Sequence, residues 1–150
     1  MKHIVLVGDL KVGKKGDIIV TYGLGTSLGL MAYDPVAQVG GLLHAMLPLS
    51  KSDPQKAGEN PYIFVDTGVP KLFEEVCNAG GEKKRLIVRA AGCSRPSGDS
   101  EMFRIGERNF SVLNKLLWKN NVILESEDVG GAANRTVHFD ISTGDIIISS

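Results

Sequence analysis

The sequence has little of what marks the easily read classes of protein. Its 150 residues include two cysteines, Cys77 and Cys93, too few for a disulfide framework or a metal knuckle. Seventeen basic and seventeen acidic residues cancel, so there is no basic field to draw nucleic acid and no acidic tail to draw a cationic partner. There is no long hydrophobic run: the opening "MKHIVLVGD" is too short for a secretory leader core or a membrane span. A cytoplasmic protein with no membrane insertion is the expectation, and the sequons at Asn109 and Asn134 then have no role. Neither an internal repeat nor a linker divides the chain, and residues 1–150 are expected to form one domain. Nothing in the pattern calls for a cofactor or a metal.

What is present is an ordinary globular balance, 43% hydrophobic and 23% charged. Ile4 to Val7, Asp17 to Tyr22, Ser27 to Tyr33 and Gln38 to Leu47 read as strands, the third stopped by Asp34-Pro35. Ser50 to Pro61 reads as a polar loop. Val69, Leu72, Phe73, Val76 and Cys77 form one helical stripe, with Thr67 as its cap, Pro70 in its first turn and Gly80-Gly81 at its end. "RLIVRAA" and "NVILESED" read as strands on either side of a second helix over Glu107 to Asn120, with Val112, Leu113, Leu116 and Leu117 inward. "RTVHFDISTGDIIIS" reads as a hairpin turning at Ser142 to Asp145. Many strands on short connections with two helices predict an α+β fold of mixed or antiparallel sheets rather than βαβ alternation.

Two glycine-rich stretches resemble nucleotide loops and fail on context. Gly8 to Lys15, "GDLKVGKK", has Lys15 where a P-loop needs Ser or Thr for magnesium, and a strand-like run follows where a helix should open. A solvated hairpin turn is the expectation there. Gly23 and Gly25 suggest a dinucleotide fingerprint, but the next glycine, Gly29, is out of place and no helix fits before Asp34-Pro35. What remains at "TYGLGTSLGL" is a strand end, a glycine turn and Ser27. Glycines there permit a sharp turn whose exposed amides can face an oxyanion. Taken alone, this is also what a plain β-turn looks like.

The stretch is not alone. "TYGLGTSLGLMAYDPVAQVGGLLHAMLP" resembles the signature of the chemoreceptor glutamine deamidases, the CheD family: Thr, a Gly-Leu-Gly turn, a small hydroxyl residue, the nucleophile, Asp-Pro, then a glycine-rich strand carrying His before Met-Leu-Pro. Asp66, "MFRIGERN", "EDVGG" and "RTVHF" agree in order down the chain. The resemblance implies a layered sandwich of mixed β-sheets with outer helices, and hydrolysis of glutamine side chains on methyl-accepting chemotaxis receptors to glutamate and ammonia. It also implies a CheC-type phosphatase as partner. It places His44 as general base, Thr21 as the residue orienting it, and Ser27 where the family has its catalytic cysteine.

That departure bears on the chemistry. A cysteine beside histidine can ionise, because a thiol has a pKa near ~8.5 and lower beside His⁺. An alcohol must instead lose its proton during attack, with His44 as true general base. Serine hydrolases back their histidine with a carboxylate, whereas Thr21 offers a neutral hydroxyl. Strongly reduced deamidase activity is the expectation. A catalytically inactive adaptor that still engages receptors or CheC is the alternative, and a cysteine enzyme whose nucleophile was exchanged for serine is a third. Cys93 in "AAGCS" is a candidate substitute nucleophile whose plainer reading is a small buried thiol. Cys77 reads as core, and His3 and His138 as sheet-face residues. Asp66 reads as a helix N-terminal charge. Met102 and Phe103 read equally as core or as a docking spot.

Overall fold

The computed structural model describes residues 1–96 and 104–150. Among these residues nine strands form two sheets. The first has the order β1 (Lys2–Val5), β3 (Ile18–Leu24), β8 (Arg135–Asp140), β9 (Ile146–Ser149), and the second the order β2 (Asp9–Lys14), β5 (Val39–Ala45), β4 (Leu28–Asp34), β6 (Ile87–Gly92), β7 (Leu124–Val129). Both are mixed: β1 runs parallel to β3 and β6 parallel to β7, the other pairs being antiparallel. Two longer helices, α2 (Val65–Asn78) and α3 (Ile105–Lys119), cover the outer face of the second sheet. This is the expected α+β sandwich.

The layers follow from which residues are apolar on both sides of a strand. Every residue of β4 and β5 is buried, so these strands are the middle of three layers. One face of the middle sheet offers Met31, Tyr33, Leu42 and Ala91 to Ile19, Val137 and Phe139 of the first sheet. The other offers Leu28, Leu30, Leu43 and Val88 to Val69, Leu72 and Val76 of α2 and to Leu113 and Leu117 of α3. Alternation along each strand therefore sorts side chains between two cores.

Several local expectations change. β1 ends at Val5, leaving Leu6 and Val7 in an exposed turn. "GDLKVGKK" is not a hairpin turn: Asp9–Lys14 is the edge strand β2, paired along its length with β5, so no phosphate loop exists there. The segment 50–61 is not a loop. It holds a six-residue helix, α1 (Pro54–Glu59), started by Pro54 and by the Asp53 carboxylate, which accepts from the Lys56 amide, between short 3₁₀ turns at Ser50–Ser52 and Pro61–Ile63. α2 starts earlier than its apolar stripe suggests. Thr67 is inside it, donating to the Pro61 carbonyl rather than capping, and Pro70 falls in its second turn. Gly80 and Gly81 do close it, their amides reaching the Cys77 and Val76 carbonyls. Cys77 is half-buried at the edge of the stripe rather than in the core. In α3, Leu113 and Leu117 are buried while Val112 and Leu116 are packed at the margin. Among the described residues no helix is long and apolar enough to cross a membrane.

Candidate active site

The stretch Thr21–Leu30 is the step from one sheet to the other: β3 belongs to the first sheet and β4 to the second. Between Thr21 and Leu24 the register against β8 shifts, a bulge that turns the strand out of its ladder. Gly23 sits there at φ +70°, a conformation that favours glycine. The chain then crosses to β4, and Ser27 is the last residue before the ladder resumes at Leu28. On β4, Gly29, Met31 and Tyr33 share the face turned toward the first sheet, and Ser27 is the next position of that parity. His44 lies opposite Gly29 on β5, one diagonal step from Ser27.

The first sheet supplies the partner. Thr21 and His44 are both fully buried, and the Thr21 hydroxyl lies 2.8 Å from His44 Nδ1 and 2.8 Å from the Val5 carbonyl oxygen. A hydroxyl has one proton, and the Val5 carbonyl can only accept. The Thr21 proton therefore goes to Val5, Nδ1 carries its own proton and donates to Thr21, and Nε2 keeps its lone pair. That Nε2 atom is buried and has no hydrogen-bond partner among the described residues. Burial pushes the His44 pKa down to about 4, because the charged ring would lose its hydration. At neutral pH His44 is thus a neutral base with its free nitrogen on the face that Ser27 shares. The two side chains make no hydrogen bond to each other.

The turn carrying Ser27 is gripped through its carbonyls. Gly25 O accepts from the Ser94 amide at 2.9 Å, Ser27 O from the Cys93 amide at 2.8 Å, and Thr26 O from the side chain of Asn109 at 3.0 Å. The amides of Thr26 and Ser27 donate to no group among the described residues, which leaves two backbone donors beside the hydroxyl unengaged by those residues, the kind of arrangement an oxyanion needs. Gly92, at φ +94°, lets β6 lie against the Ser27 carbonyl, where a Cβ would collide with it. Arg135 backs this corner. Its guanidinium donates to the Gly92 and Gly130 carbonyls at 3.3 and 2.8 Å and pairs with Asp128 at 3.3 Å. Asn109 of "IGERN", Gly130 of "EDVGG" and Arg135 of "RTVHF", all far down the chain from Ser27, converge on this corner.

The remaining candidates separate from this site. Cys93 is buried on the helix side of the middle sheet, and burial pushes its thiol up to about 12, which makes it a poor nucleophile. His138 lies on the outer face of the first sheet, edge-on to Tyr22 at 6.5 Å, and His3 sits 3.3 Å from Asp17. Asp66, in the first turn of α2, accepts from the amide and hydroxyl of Ser50 at 2.9 Å each, a structural tie. Met102 and Phe103 lie outside the described residues. Among the described residues no three His, Cys, Asp or Glu side chains gather as metal ligands would. Asn109 and Arg135, which bond the backbone around Ser27, are not singled out by the sequence; their signal is membership of the downstream motifs, read as resemblance without a role.

Fold and geometry together define a class: a three-layer sandwich in which a serine at a sheet-crossing turn stands one diagonal step from a buried histidine hydrogen-bonded to a threonine. The family model described as CheD chemotactic sensory transduction matches residues 46–150. A Solibacter usitatus protein named "Probable chemoreceptor glutamine deamidase CheD" is 47% identical over 142 residues, covering 94% of this chain and 84% of that protein. A Syntrophus aciditrophicus protein named "Probable chemoreceptor glutamine deamidase CheD 1" is 45% identical over 98% of this chain and 92% of its own length, and a Pyrococcus horikoshii relative, named as the first is, is 42% identical over 97% and 91%. The chain belongs to the CheD family.

Proposed function

We propose that this protein is a glutamine deamidase of chemotaxis receptors, with Ser27 as nucleophile, His44 as general base and Thr21 holding His44. The observation that carries the assignment of roles is the Thr21–His44 pair, whose hydrogen bonds leave Nε2 as a lone-pair acceptor on the face Ser27 shares. The relatives' names supply the substrate class. The protein works in the cytoplasm as one domain over residues 1–150, without a cofactor, and a CheC-type phosphatase is its second partner.

The reaction balances with these groups alone. The Ser27 oxygen attacks the carboxamide carbon while His44 Nε2 takes its proton, and the Thr26 and Ser27 amides receive the negative oxygen. Collapse expels the nitrogen, which takes the proton back from His44 and leaves as ammonia. Water, activated by the same histidine, then cleaves the ester and releases glutamate. Two features slow the serine version. A base whose pKa is about 4 is far from the neutral range where general bases work best. The imidazolium formed on attack meets a neutral hydroxyl rather than a carboxylate. A thiol would relieve both, because thiolate and imidazolium stabilise each other.

Incubating a receptor cytoplasmic fragment with the native protein, Ser27→Cys and Ser27→Ala, and reading Gln→Glu conversion by mass spectrometry, tests this. Ser27→Cys is expected to convert at least ~10²-fold faster than the native protein, the cost of a misplaced reacting atom, and Ser27→Ala not at all. Native turnover equal to that of Ser27→Cys would remove the impairment. No product from Ser27→Cys would remove the deamidase reading.

The absence of a Ser27–His44 hydrogen bond favours a second reading, an inactive member that binds receptors or CheC through an intact surface. Receptor pull-down unchanged by Ser27→Ala, with no native product, would support it.

A further inference from the structure

We propose that Asn109 is the positioning residue that sets the spacing between Ser27 and His44, acting through the backbone on either side of the pair. The inference rests on reading those two residues as the reacting groups.

Asn109 lies in the second turn of α3 and is fully buried. A buried carboxamide on a helix is unfavourable unless its polar atoms are bonded. Its side-chain nitrogen donates to the Thr26 carbonyl at 3.0 Å and to the Met46 carbonyl at 3.1 Å. Both partners are acceptors, so the amide orientation is settled: the flipped form would set oxygen against two oxygens. Both protons are committed, one to the turn before β4 and one to the residue after β5.

Their position gives the bond pair its meaning. The β4–β5 ladder ends at Leu28–Ala45. Just beyond that rung stand Thr26, immediately before Ser27, and Met46, two residues after His44. Where backbone pairing has stopped, the Asn109 amide group takes its place and ties the turn bearing the nucleophile to the strand bearing the base. The helix that carries Asn109 is itself seated on the same corner. Gly106 lies against the Cys93–Ser94 backbone, where a Cβ would collide with the Ser94 carbonyl, and the Cys93 and Ser94 amides hold Ser27 O and Gly25 O. The start of α3 therefore fixes the turn from one side through Cys93–Ser94 and from the other through Asn109. The remaining oxygen of Asn109 is buried with no partner among the described residues, consistent with a side chain oriented for its two donors.

A hydrogen-bonding role and a packing role separate experimentally. In the Ser27→Cys protein, iodoacetamide alkylation of the introduced thiol is followed against pH and resolved by peptide mass spectrometry from Cys77 and Cys93. A thiol coupled to His44 reacts well below the ordinary thiol range of ~8.5. Adding Asn109→Leu keeps the branched heavy-atom outline and removes both donors. It is expected to move the alkylation limb up toward a free thiol and slow the reaction at neutral pH ~10-fold or more, on the scale of a small misplacement, while circular dichroism shows the fold retained. Asn109→Asp, equal in shape but turning oxygen to both carbonyls, is expected to do at least as much. If Asn109→Leu does not fold, Asn109→Ala reads the same change. A pH profile unchanged in these variants overturns the proposal. A parent profile indifferent to His44→Ala instead removes the Ser27–His44 pairing, and this proposal with it, so the two failures are distinct.

Discussion

The antiparallel strands β4 and β5 bury an ionisable side chain at each end, and the two are treated oppositely. At one end Asp34 is fully buried, yet its carboxylate accepts from the amides of Val36, Ala37 and Glu82 and from Arg85, all within 3.1 Å. At the other end His44, equally buried, has one nitrogen bonded and the other without a partner among the described residues. Both groups sit below their ordinary pKa, for opposite reasons. The Arg85 guanidinium beside Asp34 holds its carboxyl in the charged form; burial alone holds His44 in the neutral form. A buried charge with every acceptor site filled is structure. A buried neutral base with an unpartnered lone pair is the kind of group that a functional site uses to take up a proton.

The widest separation should come from activity. In the Ser27→Cys protein, His44→Ala is expected to lower the deamidation rate ~10²–10⁴-fold, the range of a general base, while Asp34→Asn leaves the rate of the folded protein within a few-fold; loss of activity in both would erase the contrast. Stability should reverse the order. Asp34→Asn is expected to lower the unfolding free energy in urea by about 2 kcal/mol, the size of a charged hydrogen bond, and His44→Ala by less than a core deletion, because one of its nitrogens has no partner to lose.

The same contrast reads out in pH. His44 has a folded pKa of about 4 against ~6.5 when unfolded, so the unfolded chain takes up the proton first. Stability should fall as pH drops from ~6.5 to about 4 and lose nothing more to this group below that. Asp34 has its carboxyl held below the unfolded ~3.9; its contribution is complete above that value and drains only below it. His44→Gln should flatten the upper window and Asp34→Asn only the lower one in urea titrations across pH; a slope unchanged above pH ~4 in His44→Gln would place the titration on another group.

The sequence was legible where burial imposes a period. β3, β4, β5, β6 and the terminal hairpin are apolar runs, and α2 and α3 carry apolar stripes at helical spacing, because each must hide a face. It was illegible where nothing is hidden. α1 has no buried residue, so no period marks it, and the cap formed by Asp53 and Pro54 was its only trace. β2 is an edge strand whose Lys11 and Lys14 face solvent, and glycines and lysines read as a turn. Thr21, Ser27 and His44 could be picked out by resemblance, but their mutual geometry could not. Asn109 shows the limit most clearly: its two acceptors are 83 and 63 residues away, and a lone Asn on a helix looks the same whether it meets water or a carbonyl.

The sequence by itself determined the alternation that builds three layers, the glycine turn that lets β3 step across to β4, and the oxygen that stands at position 27. Only the tertiary structure decided where the protons are. The Val5 carbonyl, brought against Thr21 by the parallel pairing of β1 with β3, orients the Thr21 hydroxyl and so the His44 tautomer. Burial between two sheets keeps that ring neutral. Both depend on acceptors and dielectric supplied by residues distant in the chain, and a proton's position is set by those surroundings rather than by the identity of the group that carries it.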